Sequence, residues 1–294
     1  MNFIKPTQLI KLVAFIIICL TSCDNKNEEQ PVLTEPSNSI DESALIAQGY
    51  TKVFDENFTT DLNKWNIWTG GAYNDELQYY QASNIGINNG ILEIKAKKET
   101  VTGATDPENT QPKKFEYTSG RIESNFEIAP TTSKKKVRIS ARIKLPAGYG
   151  MWPAFWSYGN PWPTHGEIDI LEALGQDHHN YIINYYYGIT EGYPITNNDL
   201  TAATIPSEKD LTEDFHVYEV IWEQNSLTFL LDGKIVNTKL STHPENKFIP
   251  EFFNKPQHIV LNTAVGGNIF DDFNPSLIQT GVLYVDWVKV FASN

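Results

Sequence analysis

Three carboxylates stand within six positions of the stretch 166–175, "GEIDILEALG": Glu167, Asp169 and Glu172. Two carboxyl groups at short range are the working parts of glycosidic bond cleavage, one attacking or activating the attacker and the other donating a proton. To do that they must share a face. A flat strand puts Glu167 and Asp169 on one side and Glu172 on the other. A helix, turning about 100° per residue, scatters them just as badly. The β-branched Ile168 and Ile170 favour a strand, and one β-bulge near Ile170–Leu171 would rotate Glu172 back to its neighbours' face. Glu167 and Glu172 would then lie about four strand steps apart, roughly 13 Å along the backbone. Two side chains leaning together would bring their carboxyls to about 5 Å, the separation of a retaining mechanism. Asp169 between them can hydrogen-bond the attacking carboxylate and help keep Glu172 protonated by like-charge repulsion. Three acids crowded this closely are costly unless chemistry uses them.

The residues just before the acids suit a sugar. "GMWPAFWSYGNPWP" (150–163) delivers Trp152, Trp156 and Trp162. Trp152 and Trp156 are four apart and share a face on a strand. A lone Trp is more often core than ligand, but three beside three acids are expected to supply at least two groove-facing rings. In "NYIINYYYGI" (180–189) Tyr185, Tyr186 and Tyr187 cannot all be buried, and one or two are expected in the groove.

The elements that must carry these side chains read as strands. Alternating apolar runs recur at 90–98, 137–145, 216–223, 227–236, 258–265 and 282–291, separated by Gly, Pro, Asn and Asp, with no long amphipathic helix. That spacing predicts an all-β fold, two antiparallel sheets packed face to face as a β-sandwich. "LDGK" (231–234) is a hairpin signal, since Asp-Gly tolerates the positive φ of a type I′ turn. "KKKVR" (134–138) reads as a solvated turn entering a strand.

The chain has 294 residues and a net charge of −13. Such a balance is a poor fit to nucleic acid or other phosphate partners. Residues 1–22 combine two lysines, the apolar run "LVAFIIICL" and the ending "LTS" before Cys23. This reads as an export signal whose "LTSC" resembles a bacterial lipoprotein cleavage box, with Cys23 lipidated. The apolar run is short for a membrane span. The other cysteine, Cys19, would leave with the signal, so no disulfide is expected. Residues 23–49 are acidic and poor in aromatics, which predicts a flexible tether. The 50–294 remainder shows no second linker and reads as one domain, expected to work as a monomer. The expected location is a bacterial outer membrane, with surface display compatible with the acidic residues after Cys23.

"GMWPAFW" followed by "HGEIDILEALG" resembles glycoside hydrolase family 16, in its laminarinase-like branch. "FDENF" (54–58), "GGAYNDELQYY" (70–80), "DFHVYEVIW" (214–222), "LLDGK" (230–234), "LNTAVGG" (261–267) and "VDWVKVF" (285–291) fall in the family's order. The resemblance implies a concanavalin-like jelly roll with a concave cleft. It implies Glu167 as nucleophile, Asp169 as assisting acid and Glu172 as acid/base, on a bulged strand. It also implies Asn74, Trp152, Trp156 and Trp162 as cleft residues, no catalytic cofactor, and a structural calcium for which Asp286 is a side-chain candidate. The implied substrate is a β-1,3-glucan of laminarin type or a mixed-linkage β-1,3-1,4-glucan. Two departures stand out: "KKKVRIS" replaces the family's usual aromatic-Gly-Arg-Phe-Glu run before "ARIKLP", and Asp75 stands where relatives often carry Asn.

Two rivals are weaker. His165, His178 and His179 lack metal-site spacing, and neighbouring histidines on a strand point apart; His165 is expected instead to hydrogen-bond sugar or a catalytic acid. A non-catalytic glycan-binding lipoprotein on the same fold is the stronger alternative, although a binder has little reason to keep Glu167 and Glu172 at this spacing. His216 reads as a packed structural histidine.

Overall fold

The computed structural model describes residues 39–196 and 198–294. The signal, Cys23 and the tether up to residue 38 lie outside the described residues. Alternating apolar positions build two large antiparallel sheets, as the period-2 pattern requires. The first has the order Lys234–Leu240, Ser226–Leu231, His216–Glu223, Lys136–Lys144, Val282–Ser293, Ile91–Lys95 and Ile85–Asn88, with Thr51–Glu56 also pairing to Val282–Ser293. The second runs Ala203–Pro206, Asn180–Tyr186, Glu167–Glu172, Met151–Tyr158, Gln257–Val265, Arg121–Ile128 and Trp65–Ile67. A small third sheet joins Gln78–Tyr80, Pro112–Ser119 and Lys97–Ala104.

The inner faces of the two large sheets meet in one core. Ile139, Ala141 and Ile143, with Tyr218, Val220 and Trp222, from the first sheet pack against Phe155, Ile168, Leu171, Ile183 and Leu261 of the second. Each large apolar side chain so buried contributes about 1.5–3 kcal/mol. The acid strand is therefore pinned from beneath, and its other face is free for chemistry. The Asp-Gly hairpin forms as expected: Asp232 and Gly233, at φ +50° and +75°, join Ser226–Leu231 to Lys234–Leu240. "KKKVRIS" also makes a full strand, Lys136–Lys144, on whose outer face Arg138 pairs with Glu219 at 2.7 Å. His216 is buried, its Nδ1 2.8 Å from Asp232 Oδ2, which is the structural role expected.

Residues 42–49 differ from the flexible tether expected of 23–49. Glu42–Ala47 is a short helix capped by Asp41. Leu45 buries itself with Tyr50 against Phe291, on the outer face of the first sheet, with Ile40 packed alongside. Glu42 accepts hydrogen bonds from both Lys52 and Lys289. The local reason is visible in "IDESALIA": one cap and two apolar side chains within an otherwise polar stretch suffice to dock a single turn.

Candidate active site

The acid strand Glu167–Glu172 carries the bulge where the parity argument requires it. Against Met151–Tyr158, Ala154 faces Glu172 and Phe155 faces Leu171, but the next residue, Trp156, faces Asp169, so that Ile170 is skipped. The pairing with Asn180–Tyr186 slips between Asp169 and Glu172 as well. Ile168, Ile170 and Leu171 all enter the core. Glu167, Asp169 and Glu172 are thereby left on the opposite face. Gly166 precedes the strand at φ +79°, and a Cβ there would meet Phe252 at 2.6 Å. Only glycine serves that entry.

Each glutamate is held by an indole. Trp162 Nε1 donates to Glu167 Oε2 at 2.7 Å, and Trp152 Nε1 donates to Glu172 Oε1 at 3.0 Å. Trp152 is only 8% exposed, packed with Ala264 and Phe270, so it is a donor to an acid rather than an open stacking ring. Gly267, at φ +106°, lets the adjoining turn close over it, since a Cβ would lie 2.9 Å from the Trp152 ring. Asn74 belongs to this same wall: its carbonyl accepts from Asn268 N at 2.8 Å, and its side chain hydrogen-bonds Glu76. Asn74 and Asp75 are exposed at positive φ.

Trp156 is half-buried on the site face, where its Nε1 donates to Asn262 Oδ1 at 2.7 Å. A chain of buried polar groups continues from there. Asn262 Nδ2 donates to Tyr80 Oη at 3.1 Å, Tyr80 to Glu76 at 3.2 Å, and Gln78 to Glu76 at 2.6 Å. Beside it, Arg121 is ion-paired with Glu123 at 2.6 Å and stacks over Trp68 and Trp156, 4.3 and 4.9 Å from their ring centroids. Sequence reasoning missed Arg121, Glu76, Tyr80 and Asn262 as site residues. The motif segments contained three of them, but their convergence needs the third sheet and the strand order.

Of the tyrosine run, Tyr186 reaches the site. It pairs in register with Glu167, and the charges of all three acids act on its phenol. Tyr185 and Tyr187 pack against Phe252 in the core. His165 does not join the acids. The charges felt by its imidazole are those of Lys255 and Glu127, and burial and Lys255 push its pKa down. The glycine turn at 166 separates it from the acid face.

The chain matches the glycosyl hydrolases family 16 description over residues 73–289. It belongs to glycosyl hydrolase family 16. This family 16 chain is 31% identical over 258 residues to the glucan endo-1,3-beta-glucosidase A1 of Niallia circulans, a match covering 79% of this chain and 36% of that one. Thus it spans about a third of that relative's length. It is 28% identical to the beta-glucanase of Rhodothermus marinus, covering 91% and 89% of the two chains. Among solved structures, the laminarinase catalytic domain of Thermotoga maritima MSB8 superimposes with a TM-score of 0.69 at 28% identity, over 84% of this chain and 99% of that one. The endo-beta-1,3-glucanase of Pyrococcus furiosus gives 0.68 at 32% identity, over 83% and 95%.

Electrostatics in this family 16 site follow from burial. Desolvation is the largest influence on each of the three acids and pushes all their pKa values above the ordinary carboxylate range. Mutual repulsion adds to this for Glu167 and Asp169. Three negative charges cannot coexist here, so the site holds at least one proton near neutrality. The two glutamates have matching neighbours. The Glu172 charge opposes ionised Glu167 while the Trp162 hydrogen bond and Arg121 favour it, and the Trp152 hydrogen bond favours ionised Glu172 while the Glu76 charge opposes it, so that burial leaves them close together, pushed up to about 8 and about 7. Asp169 is 4% exposed, and its Oδ2 has no hydrogen-bond partner among the described residues.

Family 16 enzymes need no catalytic cofactor. Asp286, the calcium candidate, is instead ion-paired with Arg142 at 2.6 Å. Among the described residues no group of three or more His, Cys, Asp or Glu could hold a metal. A carboxylate already paired with a guanidinium is a poor calcium ligand. Sequence position could not show this, because the arginine comes from a strand 144 residues away.

Proposed function

We propose that this chain is a retaining, endo-acting β-glucan hydrolase that cleaves β-1,3-glucan of laminarin type, mixed-linkage β-1,3-1,4-glucan, or both. The observation that carries the reading is the bulge that gathers Glu167, Asp169 and Glu172 on one face, with an indole N–H on each glutamate. The named activities of the Niallia, Rhodothermus, Thermotoga and Pyrococcus relatives support the substrate class.

In this mechanism the Glu167 carboxylate attacks the anomeric carbon while Glu172, protonated, gives its proton to the departing glycosidic oxygen. Glu167 is suited to attack by the Trp162 hydrogen bond and the nearby Arg121 charge, which favour its anion. Burial and the Glu76 charge favour a proton on Glu172 against the Trp152 hydrogen bond, and its part as donor follows the order of the acids in the family's motif. Glu172 then takes a proton from water, whose oxygen attacks the same carbon from the face the leaving group vacated, breaking the ester bond to Glu167, freeing its carboxylate and restoring the β-configuration. Asp169 shares the charge between them, its unpaired Oδ2 available to the Glu167 carboxyl or to a sugar hydroxyl. Trp156, Asn74 and the Arg121–Asn262 network offer the ring face and in-plane partners a glucose unit requires. We further propose export and lipid anchoring at Cys23 to a bacterial outer membrane, with the enzyme acting as a monomer. The leader composition supports this reading.

The test is product analysis on laminarin, barley mixed-linkage glucan, agarose and carrageenan, following the new anomer by NMR. Oligosaccharides released from a β-glucan in the β-configuration are expected. Cleavage with inversion would overturn the mechanism, and binding without cleavage on every polymer would favour a glycan-binding protein.

A further inference from the structure

Large apolar side chains crowd one exposed loop beyond the acid strand. Ile189, Tyr193 and Ile195 are 75%, 71% and 43% exposed within seven residues. The loop is well fastened. Thr190 and Tyr193 form an antiparallel bridge, Ile195 N donates to Tyr187 O at 2.8 Å, and Tyr187 N donates to Thr196 Oγ1 at 2.9 Å. A fixed loop that keeps apolar groups in water asks for an occupant.

Its attachment names one. Gly192 N donates to the carbonyl of Trp162 at 2.9 Å, and Gly188 N to that of Pro163 at 3.3 Å. The Trp162 indole in turn donates to Glu167. The loop is therefore tied, through its backbone, to the residue that holds Glu167. It follows Asn180–Tyr186, which with Ala203–Pro206 lies beyond the acid strand in that direction among the described residues. The opposite side holds the dense polar array of Arg121, Glu123, Asn262 and Tyr158. In a double displacement one half of the polymer stays covalently bound and must be gripped, while the other half must leave. A hydrogen-bonding array suits the half that stays. An apolar ring and a branched aliphatic side chain suit the half that departs, because they meet the C–H faces of sugar rings without directional bonds to break.

We propose that the Ile189–Ile195 loop is the leaving-side extension of the glucan site, with Tyr193 as the platform for a sugar beyond the scissile bond and Ile189 beside it. The inference rests on the hydrolase reading above, and it adds the residues that would make the protein prefer polymers over short substrates.

The experiment compares the full chain with Tyr193→Ala and the double variant Ile189→Ser, Tyr193→Ala on laminarin and on a chromogenic aryl β-laminaribioside, which carries no sugar on the leaving side. For laminarin KM should rise about fivefold to tenfold with kcat nearly unchanged, and Tyr193→Trp should restore it. Hydrolysis of the aryl glycoside should stay at the wild-type rate. Equal loss on both substrates would assign the loop to local folding, and no loss on either would remove it from the site. A wild-type dimer that the substitutions dissociate without kinetic change would make the patch a contact between copies. Wild-type protein inactive on both substrates would instead overturn the hydrolase reading itself.

Discussion

At the residue scale both glutamates accept an indole N–H, so their separate roles show only when each carboxyl is removed in turn. Glu167→Ala should lower turnover of glucan by at least about a thousandfold. Azide should partly rescue it on an activated aryl glycoside, giving a glycosyl azide of inverted anomer; an unrescued variant would argue against attack by Glu167. Stability gives a second reading of the same site. Buried Glu172 has its folded-state pKa raised above the 4.5 of the free side chain. Between those two values the folded chain binds more protons than the unfolded one, so this group's contribution to stability falls as pH rises through that window. Glu172→Gln should therefore raise the melting temperature at neutral pH, with the gain vanishing below about pH 4.5. A gain independent of pH would mean that the carboxyl carries no buried-charge penalty. The acids and the three tryptophans were legible in the sequence because they cluster within 21 residues, 152–172. Trp152 as a donor to Glu172 was not, since nothing in "GMWPAFW" says which ring the Gly267 turn will cover.

At the scale of elements, the bulge resolves a parity conflict that a regular strand cannot. Deleting Leu171 would leave Glu-x-Asp-x-Glu, in which simple alternation keeps all three acids on one face. That deletion should fold and retain measurable hydrolysis, while losing some stability with the buried leucine; a folded but wholly inactive product would show that the bulge sets more than the facing of Glu172. The bulge could be inferred from residue types alone because Ile168, Ile170 and Leu171 demand the core as strongly as the acids demand the other side. The helix Glu42–Ala47 was hidden for the opposite reason: its single buried Leu45 sits in a polar stretch that composition alone reads as unstructured. Compared with removing residues 1–38, removing 1–49 also uncovers Phe291 and strips Lys52 and Lys289 of Glu42. If that contact is worth about 2 kcal/mol, the second truncation should melt roughly 4–8 °C lower. Equal melting of the two truncations would make the helix a passenger.

At the scale of the whole molecule, net charge bears on the neutral substrate proposed above. A chain of net charge −13 whose buried site already holds three acids gains nothing from a sulfated substrate. Laminarin KM should change less than about twofold between low and moderate salt, since screening acts on charge pairs and the substrate has none; a steep salt dependence would point to an ionic substrate. The sandwich itself was readable from six alternating runs and an Asp-Gly hairpin. The strand order was not, because Gln257–Val265 inserts between Met151–Tyr158 and Arg121–Ile128 from far along the chain, and only that insertion brings Asn262 to Trp156 and Arg121.

The docked turn at Glu42–Ala47 also gives the molecule a back. It lies on the outer face of the first sheet, and the acids look outward from the second, with the core between them. The described chain therefore begins on the face away from the acids. Like a cup on its foot, the fold keeps its first described turn at the base and its open side the other way.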